Sequence, residues 1–177
     1  MNIAVVSYSF TNNNERFAAS LAAGLSAKHI RIQPTKTVTY GTLTCDLLLN
    51  RKPDASPNPD SLAHYDLLVF VAPIWMGQVA FPLRAYLAAL KRRTQPYCFL
   101  SISGGADSVN PKVPEELKKR AGQAPVFVLD QHIRELLPAE PAPTRDDTSK
   151  YQLTDEDLTQ ITRKALEQLK LAVPSAC

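Results

Sequence analysis

The chain has 177 residues, of which 45% are hydrophobic and 21% are charged, and its formal net charge is +3. These values are typical of a globular protein, and we expect residues 1–177 to form one domain with a substantial core. Lysine and arginine are scattered except at Lys91-Arg92-Arg93, which we interpret as the solvated end of a helix. The sequence therefore lacks the broad basic patch that is typical of nucleic-acid-binding proteins.

The cysteines and the apolar segments indicate the cellular compartment that we expect for the protein. Cys45, Cys98 and Cys177 are odd in number and show neither CxxC nor Cys/His metal-ligand spacing. No stretch approaches the ~20 apolar residues that a membrane helix needs. The first residues carry a short apolar run but have neither the basic region nor the small-residue cleavage site of a signal peptide. We expect a cytoplasmic protein without a metal site or a membrane span.

Five short segments predict β-strands, and they cover residues 3–6, 29–33, 65–72, 97–102 and 125–129. The second alternates with period two, as a strand near a sheet edge does. The third is apolar almost throughout, which is typical of a parallel strand that is buried on both faces.

Apolar residues at helical spacing follow the first, third, fourth and fifth strands. Thr154-Asp155-Glu156-Asp157 resembles a capping box that opens the last helix. Residues 35–64 predict an irregular crossover, with a short helix as one option at 43–49. The proline-rich residues 134–152 predict a surface excursion, which either borders the active site or covers a sheet edge.

This alternation predicts an α/β fold: a doubly wound, five-stranded parallel sheet with helices on both faces. One strand order that suits the count is 2-1-3-4-5. Ligands of such sheets bind outside the carboxyl ends of the strands, here at the switch point between the first and third. The loops at that edge begin at Ser7, Pro73 and Ser103.

The first of these loops is rich in hydroxyl and amide groups and precedes a helix. It reads Ser7-Tyr8-Ser9-Phe10-Thr11-Asn12-Asn13-Asn14. The first N–H groups of a helix lack internal partners, and the helix dipole favours negative charge there. We therefore predict a phosphate that is held by neutral donors, without a metal. The alternative is an ordinary N-cap, since Asn and Thr are favoured there without any ligand.

The other two loops carry aromatic and glycine residues. They read Pro73-Ile74-Trp75-Met76-Gly77-Gln78 and Ser103-Gly104-Gly105-Ala106-Asp107-Ser108. Trp75, the only tryptophan, is placed to border a planar ligand or to plug a core edge. The glycines allow either close approach of the backbone to a ligand or plain turns. Asp107 either accepts a hydrogen bond or caps the next helix.

Together the three loops resemble those of the flavodoxins. Residues 9–14 resemble the family's phosphate loop, Ser/Thr-x-Thr-Gly-Asn-Thr, residues 72–77 resemble the loop against the flavin ring, and residues 101–105 resemble the third loop. The resemblance implies a flavodoxin-like three-layer sandwich that binds FMN. The cofactor-binding residues that it implies are Ser7, Ser9, Phe10, Thr11, Asn12, Asn13, Asn14, Pro73, Ile74, Trp75, Met76, Gly77, Ser103, Gly104, Gly105 and Asp107.

Two residues depart from the family's phosphate loop. Asn12 stands where the family usually has glycine, and asparagine is among the few residues that tolerate a left-handed conformation. Asn14 replaces the final threonine, which removes a hydroxyl but keeps an amide donor. We expect phosphate binding to survive both changes.

The resemblance implies redox chemistry in which the flavin itself carries the electrons. No side chain in these loops suits the role of acid or base, and His29, His64 and His132 are expected to lie apart from them. Electron-carrier flavodoxins are strongly acidic and commonly have an aromatic residue in the third loop, whereas this chain carries +3 and residues 103–108 hold none. We therefore favour an oxidoreductase that passes electrons from NAD(P)H to a quinone-like or other small acceptor. An electron carrier between protein partners and a binding protein that has lost the cofactor stay as alternatives, and a homodimer is left open.

Overall fold

A parallel sheet of five strands organises the part of the chain that the computed structural model describes, residues 1–34, 55–105 and 110–173. The strands are β1 (Ile3–Ser7), β2 (Lys28–Arg31), β3 (Leu67–Val71), β4 (Tyr97–Ser103) and β5 (Phe127–His132). They lie in the order β2-β1-β3-β4-β5, and every neighbouring pair is parallel. The predicted order 2-1-3-4-5 is confirmed.

Burial along the strands follows their apolar content. Every residue of β1, β3 and β4 is buried, whereas the edge strand β2 is exposed at both ends. Successive side chains of a strand point to opposite faces of the sheet. Val5 and Val69 accordingly belong to one core, and Val6 and Phe70 belong to the other. The continuous apolar runs are thus explained by burial on both faces.

Helices cover both faces and complete a three-layer arrangement. On one face lie α1 (Asn13–Gly24) and the last helix, α5 (Asp155–Ala172). On the other lie α2 (Arg84–Leu90) and α3 (Val113–Ala121). A six-residue helix, α4 (Arg145–Lys150), precedes α5. None of the helices in the described ranges has both the length and the apolar content that crossing a bilayer requires.

The connections are less regular than the sheet. Gln33–Pro34 pairs antiparallel with Ala55–Ser56, and a 3-10 turn follows at Pro59–Leu62. The helix considered at residues 43–49 lies outside the described residues. The predicted excursion at 134–152 contains the end of another 3-10 turn, Ile133–Leu136, and the helix α4.

Side-chain caps fix where the last two helices begin. Thr154 Oγ1 accepts a hydrogen bond from the Asp157 backbone N–H at 3.1 Å, and Asp157 Oδ2 accepts one from the Thr154 backbone N–H at 2.8 Å. The predicted capping box is therefore confirmed. A second box, formed by Thr144 and Asp147, opens α4 and was not anticipated from the sequence.

We predict that Thr154→Ala lowers the free energy of unfolding by about 1 kcal/mol, because the first turn of α5 loses its side-chain acceptor. Urea denaturation followed by circular dichroism measures the change. Thr159→Ala is the matched control, since Thr159 is an exposed residue inside the same helix and its hydroxyl bonds only to the Asp155 carbonyl oxygen. Equal effects of the two substitutions would contradict the capping role.

Candidate functional site

The three predicted loops meet around one open cleft of about 1380 Å³ at the carboxyl edge of the sheet. Residues from all three loops line it, as the topology of a doubly wound sheet requires. The predicted site residues on its walls are Phe10, Thr11, Asn14, Pro73, Ile74, Trp75, Met76, Gly77, Ser103, Gly104 and Gly105. Asp107 lies outside the described residues.

Two other predicted residues use their side chains to hold the fold and do not line the cleft. Ser7 Oγ donates to Glu15 Oε2 at 2.8 Å and lies 2.9 Å from His29 Nε2. Asn13 Nδ2 donates to the Tyr151 carbonyl oxygen at 2.8 Å, and Asn13 Oδ1 accepts from the Leu153 backbone N–H at 3.0 Å. Ser7 therefore joins β1 to α1 and β2, and Asn13 joins α1 to the segment before α5.

Asn12 holds the turn that starts α1. Its φ is 73°, in the left-handed region that asparagine tolerates better than most residues. As the N-cap residue it makes no side-chain hydrogen bond to the helix, so the ordinary capping interaction is absent. Neither Asn12 nor Ser9 lines the cleft, although Ser9 Oγ is buried without a hydrogen-bond partner in the described ranges.

Asn14 connects the first loop with the third. Its Nδ2 donates to the Ile102 carbonyl oxygen and its Oδ1 accepts from the Ile102 backbone N–H, both at 2.9 Å. Asn14 is buried, and it also forms part of the cleft wall. The amide that replaces the family's threonine is thus engaged with the backbone at the end of β4.

The second loop is a β-hairpin, which the sequence analysis did not anticipate. Ile74–Trp75 pairs antiparallel with Gln78–Val79 across a two-residue turn. Both turn residues have positive φ, 51° at Met76 and 73° at Gly77, as a type I′ turn requires. A Cβ at Gly77 would meet no described atom within 4 Å, so this glycine serves the turn conformation rather than close approach.

Trp75 is held at the mouth of the cleft by other aromatic rings. The centroids of Tyr8, Phe81 and Phe10 lie 5.9, 5.8 and 6.3 Å from the Trp75 centroid, and Tyr8 and Phe10 meet it edge-on. Such geometry adds to plain area burial and fixes the orientation of the indole. Trp75 is half-buried against the core and also lines the cleft, so both roles considered for it are combined.

The third loop passes between two close neighbours. A Cβ at Gly104 would lie 3.1 Å from Thr148 Oγ1, and a Cβ at Gly105, whose φ is 71°, would lie 2.6 Å from His132 Cβ. These contacts require glycine at Gly105 and leave little room at Gly104. Because Arg145, Thr148 and Ser149 line the cleft, the second proline-rich excursion borders the site.

One face of α3 forms the remaining wall, which the sequence analysis missed. It contributes Glu115, Glu116 and Lys119, and Lys112 lies just before the helix. Glu116 forms an ion pair with Arg120, whose guanidinium also donates to Gln78 Oε1 at 3.2 Å. The contact with Gln78 ties the hairpin to α3.

Two histidines expected to lie apart from the loops contact them instead. His29 lies beside Ser7, and burial lowers the pKa of His29, with the Glu15 carboxylate opposing the shift. His132 packs against Gly105. His132 is the last residue of β5 and therefore reaches the sheet edge where the loops lie, and this position was its signal in the sequence. His29 is the second residue of β2 and carried no such signal.

Comparison with known proteins identifies similar structures but no similar sequence. No protein-family model matches the chain, and no curated protein sequence matches it. A flavoprotein in complex with FMN from Lactobacillus acidophilus NCFM has a TM-score of 0.60 and 15% identity, covering 73% of this chain and 93% of its own. A flavodoxin from Streptococcus pneumonia TIGR4 has a TM-score of 0.55 and 11% identity, with coverages of 94% and 97%.

A flavodoxin from the domain Archaea has a TM-score of 0.51 and 13% identity, covering 97% of this chain and 99% of its own. The fold is flavodoxin-like. Sequence identities this low are evidence for the fold and not for the activity. The flavodoxin-like architecture expected from the three loops is confirmed, and the activity depends on the residues of the site.

We predict that Asn12→Ala lowers the free energy of unfolding by about 1 kcal/mol, because alanine at positive φ is strained. Asn12→Gly is the control, and its stability should lie within about 0.5 kcal/mol of the original, since glycine reaches this conformation freely but loses more entropy on folding. Urea titration of the cofactor-free protein measures both. Equal stability of the alanine and glycine variants would contradict the left-handed turn.

Proposed function

We propose that the protein binds FMN and passes electrons from NAD(P)H to a quinone-like or other small acceptor. The observation that carries the proposal is the meeting of three loops in one cleft. The start of α1 lies at one of these loops, and Trp75 and Gly104–Gly105 lie at the other two. A flat ligand with a phosphate tail fits this arrangement.

Neutral donors would hold the phosphate. Thr11 lines the cleft just before α1, whose first N–H groups donate no hydrogen bond to the Asn12 side chain. Glu15 in the first turn of α1 forms an ion pair with Arg31 and lies 3.5 Å from His29 Nε2, and the Arg31 guanidinium offsets the repulsion of an anion by this carboxylate. The helix dipole adds a favourable field.

The ring would lie between the hairpin and the third loop. Trp75 offers an indole of fixed orientation, and Gly104 and Gly105 expose backbone without side chains. When bound, FMN supplies the hydride and electron chemistry, while the chain orients the ring and sets its surroundings. The similarity to a flavoprotein in complex with FMN supports this assignment.

The volume of the cleft and the charges on its walls favour a small acceptor. The cleft exceeds the roughly 300–1,000 Å³ of an ordinary single-ligand pocket, so it has space for a second molecule beside the cofactor. Its charged lining is mixed, with Lys112, Lys119 and Arg145 against Glu115 and Glu116. This differs from the acidic surface with which carrier flavodoxins dock onto basic partners.

One observation favours the alternative of a protein partner. Met76 at the hairpin tip is 87% exposed and Phe10 is 37% exposed, and both border the cleft. An apolar edge of this kind suits contact with a redox protein or with a second copy of the chain. The setting we propose is the reducing cytosol, where a free buried thiol such as Cys98 is ordinary.

We predict that Thr11→Val weakens FMN binding about tenfold, because a phosphate loses one charge-assisted hydrogen bond. Quenching of the single tryptophan, Trp75, measures the dissociation constant. Riboflavin is the control ligand, since it lacks the phosphate and should bind both proteins equally. A matching loss of riboflavin affinity would place the phosphate elsewhere, and protein that binds no FMN would end the flavin proposal.

We predict that the FMN-loaded protein oxidises NADH or NADPH when a quinone such as menadione is present. Absorbance at the nicotinamide band measures the rate, with FMN-free protein as the control. Electron exchange with a ferredoxin reductase, without NAD(P)H oxidation by any quinone, would favour the carrier function instead.

A further inference from the structure

Four polar residues lie side by side beneath the third loop. In the parallel register of β4 and β5, Ser101 is the partner of Asp130 and Ser103 is the partner of His132. Residues two apart in a strand share a face, so all four side chains project from the same face of the sheet. Apolar residues occupy this face farther down the strands, for example Phe99 and its partner Val128.

Hydrogen bonds fix one half of this polar cluster. Asn110 Nδ2 donates to Asp130 Oδ2 at 2.8 Å, and His132 Nε2 lies 3.0 Å from the same oxygen. On the other side of the ring, His132 Nδ1 lies 3.5 Å from Glu135 Oε1. The imidazole is therefore held between two carboxylates, and only 7% of His132 is exposed.

The other half of the cluster has unused hydrogen-bonding capacity. Ser101 Oγ, Ser103 Oγ and Asp130 Oδ1 are buried without a hydrogen-bond partner among the described residues. Buried polar atoms without a protein partner commonly bind a water molecule, which makes about three hydrogen bonds. Three oxygens on neighbouring positions of one sheet face offer that number.

The cluster reaches from one cavity to another. Ser103 lines the cleft, whereas His132 and Glu135 line a second cavity of about 620 Å³. Gly105 lines both cavities.

We propose that this cluster conducts protons from the second cavity to the acceptor in the cleft, through His132, Asp130, one bound water and Ser103. The inference rests on the proposed function. Reduction of a quinone to its hydroquinone takes two electrons and two protons, and a hydride from NAD(P)H supplies both electrons and one of those protons. The cluster supplies the other proton.

Each proton that leaves one group of the cluster is replaced by a proton from the next group. The Ser103 Oγ–H bond breaks as an O–H bond forms on the acceptor oxygen. The bound water returns a proton to Ser103 and receives one through Asp130 from His132 Nε2. Solvent in the second cavity gives a proton to His132 Nδ1 as Nε2 loses its own, and the ring returns to the Nε2–H tautomer by proton exchange with solvent before the next turnover. Ser103 would touch the acceptor, whereas Asp130 and His132 act through it.

Several charged groups surround the imidazole. Asp130 and Glu135 face it directly, and Arg134 lines the same cavity. Lys164 of α5 reaches the neighbouring Gln131 at 3.2 Å. No group of three or more metal-ligating side chains in the described ranges could hold a metal ion, so a proton path suits this cluster better than a metal site.

A comparison of two electron acceptors distinguishes a proton path from a purely structural role of the polar cluster. A quinone takes up protons with its electrons, whereas ferricyanide takes an electron alone. In the FMN-loaded protein, we expect His132→Gln, Asp130→Asn and Ser103→Ala to lower kcat with the quinone at least tenfold, within the usual effect of a positioned proton donor. For His132→Gln and Asp130→Asn, whose residues do not line the cleft, the ferricyanide rate and FMN affinity should stay within twofold.

A second histidine provides a control for the loss of quinone rate in His132→Gln. His64→Gln is the matched control, since His64 is exposed and precedes β3 at the opposite edge of the sheet. Parallel losses with both acceptors, or no loss with the quinone, would overturn the proposal.

A high-resolution crystal structure tests the path without turnover. We expect a water molecule within about 3.2 Å of Ser103 Oγ and Asp130 Oδ1. An active protein without that water would overturn the proton path and leave the proposed function standing. A protein that binds FMN but oxidises no NAD(P)H with any acceptor would overturn the proposed function, and the path would have no reaction to serve.

Discussion

The two hydrogen bonds between the Asn14 amide and the Ile102 backbone hold the site together. A buried side-chain amide that pairs with both backbone groups of one residue fixes the start of α1 relative to the end of β4. Within the sheet β3 lies between β1 and β4, so these hydrogen bonds add a direct link between the first and third loops. The distance between the proposed phosphate end of the cleft and Gly104 is therefore set by a contact inside the protein and does not depend on a ligand.

The order of the strands and the location of the cleft could be predicted because they follow from local patterns. Continuous apolar runs predict central parallel strands, and the carboxyl ends of such strands share one edge. The hairpin was missed because methionine, unlike asparagine or glycine, gives no signal for a type I′ turn. The bonds of Asn13 and Asn14 were missed because their partners lie 88 to 140 residues away in sequence. Local composition carries no information about such partners.

Charge near the first loop shows how one side chain serves two opposing needs. Glu15 in the first turn suits the dipole of α1 but would repel a phosphate at the same place. An ion pair with Arg31 directs the carboxylate toward β2. The first loop, residues 7–14, contains no charged residue of its own. Binding by neutral donors is thus supported by a small charged network behind the strand.

The attachments of Asn13 and Arg16 link the anion site to the C-terminal part of the chain. Asn13 bonds to Tyr151 and Leu153, and Arg16 bonds to Leu153 and Asp155. Any ligand that orders the first turn of α1 therefore also favours the docked position of α5. By mass action, saturation with such a ligand protects that segment against local unfolding and proteolysis. Protease resistance near residues 151–155 thus becomes a remote indicator of occupancy at the opposite end of the sequence.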